Sequence, residues 1–431
     1  MLKILALFLV IVLIALPLTA HAFSTVGSFS APDAINSLGI DVLHVTARTG
    51  ANALISPYSI QLALVMTYAG ADGATWDEMT RVLHLSGNEV ETHKAFGALQ
   101  RDLDALVQRS AVQAAQMKKY GQTNDAITLD VANRLFGQQG YDFRPAFLEL
   151  VKTNYNAPLE PLDFVKDAPG ATKTINDWVA DKTQQRIRNL IPPGALDELT
   201  RLVLANALYF KAPWADPFSA SATAPLPFHA GGGSPVNVPT MTIQKSFGYA
   251  KTNGLTIVII SYSGREIQFL IILPDDVNGL AKTEADLTAA QLASWANLPS
   301  REVKLFLPKF KIQPPTLPLA EALQMLGMTN AFDIPRGSAN FDRIAPRRPP
   351  DDYLYISRVF HKTFLDLDEK GTEAAAATAV VMATRGMVMK PETPVEVRVD
   401  HPFIFAIQHR ASSTCLFLGH LADPRLTYLT K

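Results

Sequence analysis

The side chains with the most obvious chemical potential are nine histidines, a single cysteine and the carboxylate pairs Asp275-Asp276 and Asp351-Asp352. The histidines are scattered, with no His-Glu-x-x-His and no close ligand spacing, so His361 reads as a structural histidine and no metal site is expected. No Gly-x-Ser-x-Gly turn is present to expose a serine nucleophile. Cys415 stands in the apolar run Thr414-Cys415-Leu416-Phe417-Leu418, where a buried inert thiol is expected. Both carboxylate pairs neighbour prolines and read as solvated turns. The residue types therefore argue against an enzyme, and no cofactor is called for.

A different kind of chemistry is written near the C-terminus. Asp368-Glu369-Lys370-Gly371-Thr372-Glu373 runs into Ala374-Ala375-Ala376-Ala377-Thr378, then into Ala379-Val380-Val381-Met382-Ala383-Thr384, and closes on Arg385-Gly386. The four alanines favour helix, with Thr372 as a possible cap. Val380 and Val381 favour strand, and the small residues before them would slip between neighbouring strands at little steric cost. Propensity alone does not choose between the two.

The elements that would position such a segment divide unevenly along the chain. Ser56 and Pro57 open a helix carrying Leu62, Leu64, Val65, Met66 and Tyr68. A second amphipathic stretch covers Val90 to Gln116. A third starts at Asn176 and continues through Ile187, Leu190 and Ile191 until Pro192-Pro193-Gly194 stops it. Strand-like runs then follow: Leu202 to Phe210, Leu255 to Tyr262, Ile267 to Leu273, Val303 to Lys311, Val395 to Val399, Phe403 to Gln408 and Cys415 to Leu418, with a helix at Leu319 to Leu326. The class is α+β with large, mostly antiparallel sheets.

The first residues read as an export signal. Met1-Leu2-Lys3 precedes an apolar run from Ile4 to Leu18 and the pattern Ala20-His21-Ala22, so residues 1–22 are expected to be a signal peptide and residues 23–431 a single domain. The lone cysteine excludes an internal disulfide framework, and the absence of any Asn-x-Ser/Thr acceptor suits a bacterial exported protein, in the periplasm or the extracellular medium. A formal net charge of −1 without basic blocks argues against nucleic acid as a partner. Arg101, Arg109, Lys118 and Lys119 are interleaved with Asp102 and Asp104, which argues against a polyanion.

The order of the C-terminal run resembles the reactive-centre loop of serpins, inhibitors that trap serine proteases by inserting a loop into a central sheet. In that pattern a glutamate opens the hinge, Gly and Thr follow two and three places later, small residues come next, and the scissile bond lies sixteen residues after the glutamate. Counting from Glu369 reaches Arg385. Lys and Arg are 39 of 431 residues, so a basic residue at the counted place carries weight. The resemblance extends from about Pro32 to Pro424, through Asn52, Ser56-Pro57-Tyr58-Ser59-Ile60, Asn206 to Trp214, Phe269 to Asp276, Val303 to Ile312, Leu326-Gly327-Met328, His361-Lys362, Pro402-Phe403 and Leu418-Gly419.

The resemblance implies a serpin fold, an exposed loop at about 369–394, a hinge at Glu369, Gly371, Thr372, Glu373, Ala374, Ala375, Ala376, Ala377 and Thr378, and a scissile bond Arg385-Gly386. It implies a polar cluster of Ser56, Ser59, Asn206 and His361 where the sheet parts, with Trp214 beneath the point of loop entry. For Ser56 and Trp214, helix capping and simple packing are the competing roles. Thr372, Ala374, Ala376 and Thr378 would turn inward on insertion, and all are small. The implied function is suicide inhibition of a trypsin-like serine protease by a monomeric, secreted protein with no membrane attachment after signal cleavage; the alternative is a non-inhibitory binding or carrier protein. The chain departs from the pattern at Ala212 and Gly386, where glycine and serine are usual, and in a long segment after Gly386 that includes Met387, Met389 and Lys390-Pro391.

Overall fold

The computed structural model describes residues 29–48, 50–121, 125–231, 234–348, 352–373 and 393–426. The expected signal peptide, Ala374 to Thr378 and the Arg385-Gly386 bond lie outside them.

Helices dominate the first part: α1 (Ala31–Thr46), α2 (Pro57–Tyr68), α3 (Gly73–Val82), α4 (Glu89–Lys119), α5 (Pro145–Tyr155) and α6 (Phe164–Lys182). Every residue of α2 is buried, as its nearly uninterrupted apolar run requires, since a helix apolar on all sides has no face to give to water. Ser56 caps it, the Oγ accepting from Ser59 N at 3.2 Å, with Pro57 at the first helical position where its missing N–H costs nothing.

Two sheets carry the rest. The first contains β1 (Ala53–Ile55), β5 (Ala224–Phe228), β6 (Val236–Thr252), β7 (Leu255–Ser261), β8 (Ile267–Pro274), β9 (Ser300–Pro308), β15 (Val395–Arg398), β16 (Phe403–His409) and β17 (Thr414–Leu421). Its order is β1-β17-β16-β8-β7-β6-β9-β15, with β5 paired to β6. The second contains β2 (Thr128–Gln138), β3 (Glu160–Leu162), β4 (Leu202–Pro213), β10 (Phe310–Ile312), β11 (Leu317–Pro318), β12 (Phe360–Lys362), β13 (Leu365–Asp368) and β14 (Gly371–Thr372).

The register around β4 matters most. On one side β2 pairs with it over Thr128↔Lys211 to Gly137↔Leu202. On the other, β12 pairs in parallel at Phe360↔Ala205 to Lys362↔Ala207, and β14 pairs antiparallel at Gly371↔Pro213 and Thr372↔Ala212. Among the described residues, 208–211 of β4 have no strand partner on that side. The sheet is joined below, wedged apart above by a two-residue strand, and open between.

Both faces of this sheet are covered. α2 lies on one, within the main core. On the other, α6 and the segment after it pack Phe164, Ile175, Val179, Ile187, Leu190 and Ile191 against Phe136, Val203, Phe360 and Phe364. The helix expected to continue through Ile191 instead ends at Lys182. Thr183 takes over there: its hydroxyl donates to Val179 O and accepts from Ile187 N, while Gln184 and Gln185 adopt positive φ. The apolar residues stay buried without the helical backbone. The single run expected over Val303 to Lys311 is two strands, β9 and β10, interrupted at Lys309.

Candidate functional site: the sheet opening and its hinge

At the lower end of the opening, His361 is fully buried on β12 and lies between two elements. Its Nε2 accepts from Ser56 N at 3.0 Å, so Nδ1 carries the proton and donates to Asn206 Oδ1 at 3.0 Å. Asn206 Nδ2 donates to Ser59 O and to Asn133 Oδ1, the latter at 2.7 Å. Helix, central strand and neighbouring strand are thus bonded through one imidazole and one carboxamide. Burial pushes the His361 pKa down to about 3, so the neutral ring is the working form.

The expected set Ser56, Ser59, Asn206 and His361 does meet, but the serines take part differently from what the resemblance implied. Ser56 offers its backbone N–H and Ser59 its carbonyl; the Ser59 hydroxyl is buried with no partner among the described residues. The reason is geometric, because the Ser56 hydroxyl is committed to capping α2. Asn133, on β2, was not anticipated. Its neighbours Asp130 and Arg134 are polar too, so nothing in the local pattern marks it.

At the upper end, Trp214 donates from Nε1 to Asp368 O at 2.9 Å and from its backbone to Lys370 O at 2.8 Å. Its ring stacks on Tyr262 with centroids 4.4 Å apart and planes at 14°. The Tyr262 hydroxyl in turn meets Thr372 Oγ1 at 2.6 Å. Thr372, the first of the residues expected to turn inward, is fully buried and already lies in the sheet. Gly371 is required beside it: a Cβ there would lie 2.1 Å from the Ala212 carbonyl oxygen. Ala212 is itself fully buried.

Glu369 anchors the turn leading into this strand. Its carboxylate meets Lys309 Nζ at 2.7 Å and accepts from Thr223 Oγ1 at 2.8 Å. Burial works against the charge, yet the bonds from Lys309 and Thr223 hold the carboxyl below the usual carboxylate range. Lys309, Thr223 and Tyr262 lie far from Glu369 and Thr372 in sequence, and nothing in their local pattern marked them.

Glu373 is the last described residue of the expected hinge. Its side chain is 4 % exposed and meets Arg186 Nε at 2.6 Å, and its backbone N–H donates to Asp366 O at 2.9 Å. Its φ of 50° is left-handed. Cys415 is fully buried, and burial pushes its thiol up to about 12, leaving no thiolate for chemistry.

Residues 33–424 match the sequence profile of the family described as Serpin (serine protease inhibitor). Leukocyte elastase inhibitor of Bos taurus is 38 % identical over 382 residues, covering 86 % of this chain and 93 % of that protein. Serpin B6 of Macaca fascicularis is 34 % identical over 380 residues, with the same coverage of 86 % and 93 %. The crystal structure of uncleaved ovalbumin superposes with a TM-score of 0.76 at 28 % identity, covering 92 % of this chain and all of that one. The likeness to serpin B proteins, which are intracellular, overturns the expectation of a secreted, periplasmic or extracellular protein, and a bacterial-like origin has no support in mammalian relatives. Among the described residues, no helix is long and apolar enough to cross a membrane.

Proposed function

Because this chain belongs to the serpin family and shares its fold, a family of protease inhibitors and not of enzymes, we propose that it inhibits a trypsin-like serine protease by offering Arg385-Gly386 as bait and inserting the cut segment between β4 and β13. The observation that carries this reading is the slot. Gly371 and Thr372 already lie between the two strands, and residues 208–211 of β4 continue the slot with, among the described residues, no strand partner on that side.

A protease whose specificity pocket holds a carboxylate would take the Arg385 guanidinium, and its serine would attack the Arg385 carbonyl to form an acyl-enzyme. Continued pairing then draws the new end down the sheet. The sixteen residues from Lys370 to Arg385, at about 3.3 Å each, reach roughly 53 Å, enough to drag an attached protease past the body of the protein. Distortion of the protease's oxyanion hole would leave the ester unhydrolysed. The polar cluster around His361 serves as the seam where the sheet must part, with Trp214 and Tyr262 the floor on which the hinge rests.

A second specificity has its own support, since relatives bear the name leukocyte elastase inhibitor. Incubation with trypsin, chymotrypsin and elastase, followed by the mass of the released C-terminal peptide, separates the two. A peptide beginning at Gly386, with a covalent complex on a denaturing gel, is expected with trypsin. Arg385→Glu should then abolish trypsin inhibition, because like charge faces the pocket. A peptide starting elsewhere, or inhibition unchanged in that variant, would move the bond.

A further inference from the structure

Glu373 is an unusual residue at which to stop a strand. It follows two residues embedded in the sheet, turns through a left-handed φ that glycine or asparagine would adopt more readily, and buries a carboxylate as it does so. Arg186 approaches one carboxylate oxygen, Oε1, and Tyr209 of β4 adds a hydrogen bond. The other oxygen, Oε2, is buried with no partner among the described residues. Arg186 reaches in from the segment after α6, its guanidinium carbon 5.7 Å above the Phe364 ring. Lys311 Nζ sits 4.9 Å from the same ring and 3.5 Å from Asp366. Buried polar atoms are nearly always hydrogen-bonded, so a half-satisfied carboxylate at this place asks for a reason.

We propose that Glu373 and Arg186 form a paired stop on the hinge: the buried carboxylate is a built-in source of tension that favours moving the hinge, and Arg186 is the brace that keeps this tension from being released early. Glu373 is on the strand that must travel; Arg186 is on the segment that covers the sheet. Insertion past residue 373 requires the pair to separate, so the two residues set its rate from opposite sides. Burial holds the Glu373 carboxyl above the usual carboxylate range despite the hydrogen bond from Tyr209 and the charge of Arg186, in keeping with a group that is not fully paid back by its partners. The inference rests on the inhibitory reading for its consequence, though not for its first observable.

That observable is the melting temperature of the unreacted full-length protein. Glu373→Gln keeps the shape, lets the amide oxygen accept from Arg186 and from the Tyr209 hydroxyl, and removes the stranded charge. It should raise the melting temperature and slow complex formation with trypsin several-fold. Arg186→Ala removes the only cation paired with the carboxylate among the described residues and leaves it the Tyr209 hydrogen bond alone; it should lower the melting temperature and raise the rate of spontaneous loss of inhibitory activity at 37 °C several-fold, with Arg186→Lys intermediate. Shifts of the same sign in the Gln and Ala variants, or no shift in either, overturn the proposal. Should the wild-type chain form no complex with trypsin, chymotrypsin or elastase while the two variants still move the melt in opposite directions, the paired stop stands and the inhibitory reading falls.

Discussion

Thr372→Arg is expected to turn the protein from a trap into a cleavable substrate, with at least a roughly tenfold fall in the fraction of protease encounters that end in a covalent complex, a change of about 1.4 kcal/mol or more in the partition. The guanidinium would enter a site formed by Tyr262, Trp214 and the β4 backbone, where Thr372 now has no exposure at all. An unpaired cation there costs several kcal/mol even after relaxation, so insertion stalls at its first inward residue. Since Thr372 is buried before any cleavage, the variant should also differ in the unreacted state. The two-residue strand leaves the sheet, Tyr262 loses its partner, and the fluorescence of Trp214, stacked on Tyr262, changes. Thr372→Ser, which keeps the hydroxyl, should behave as wild type. A stable complex with the arginine variant at wild-type yield would show that the hinge has been misplaced.

Asn206→Leu should give the largest loss of stability among single changes in the sheet. The substitution leaves the His361 Nδ1–H, the Ser59 carbonyl and the Asn133 carboxamide oxygen without their partner. Each buried group left unpaired costs about 1–3 kcal/mol, and the network is not additive, so a total of roughly 3–6 kcal/mol is expected. At about 1 °C per kcal/mol for a domain of this size the melting temperature falls by roughly 3–7 °C, readable by circular dichroism. A melt unchanged within error would remove the network from any account of how the sheet is held.

Acid should act on the same residue. His361 titrates near 3 in the folded chain, against about 6.5 when unfolded, so in that window the unfolded state binds more protons and stability falls as the pH is lowered. Above about 6.5 the contribution is fully present; below about 3 no further loss comes from this ring. His93, also buried and pushed down to about 4, adds a slope of the same sign. His361→Asn should therefore show a shallower acid decline than wild type without abolishing it.

The parts of the molecule readable from sequence are those in which local composition and tertiary role coincide. The largely apolar α2 and the strands β7, β8, β16 and β17 declare themselves because burial dictates residue type directly. β6 does not, because its seventeen residues, Val236 to Thr252, alternate exposure irregularly and include three consecutive exposed polar residues, Gln244, Lys245 and Ser246. β2 hides for a similar reason, with Asp130, Asn133 and Arg134 inside it. The end of α6 misleads because Ile187, Leu190 and Ile191 keep helical spacing, while Asn176 ties Ile191 at both its N–H and its carbonyl and holds that segment in place. Within the site, Glu369, Gly371 and Thr372 stand out in the sequence and their partners do not. Lys309, Thr223, Tyr262, Arg186 and Asn133 meet their counterparts across spans that only the folded chain brings together.

The run at residues 208–211, which among the described residues has a strand partner on one side only, has a consequence for isotope labelling. Amides on that side of β4 have no carbonyl across from them among the described strands, so hydrogen exchange there is governed by local access and not by opening of the whole sheet. In deuterium oxide these positions should label early in the intact protein and, on the proposed insertion of the cut arm, late after cleavage. The same few peptides, weighed before and after proteolysis, would record how far each molecule has moved.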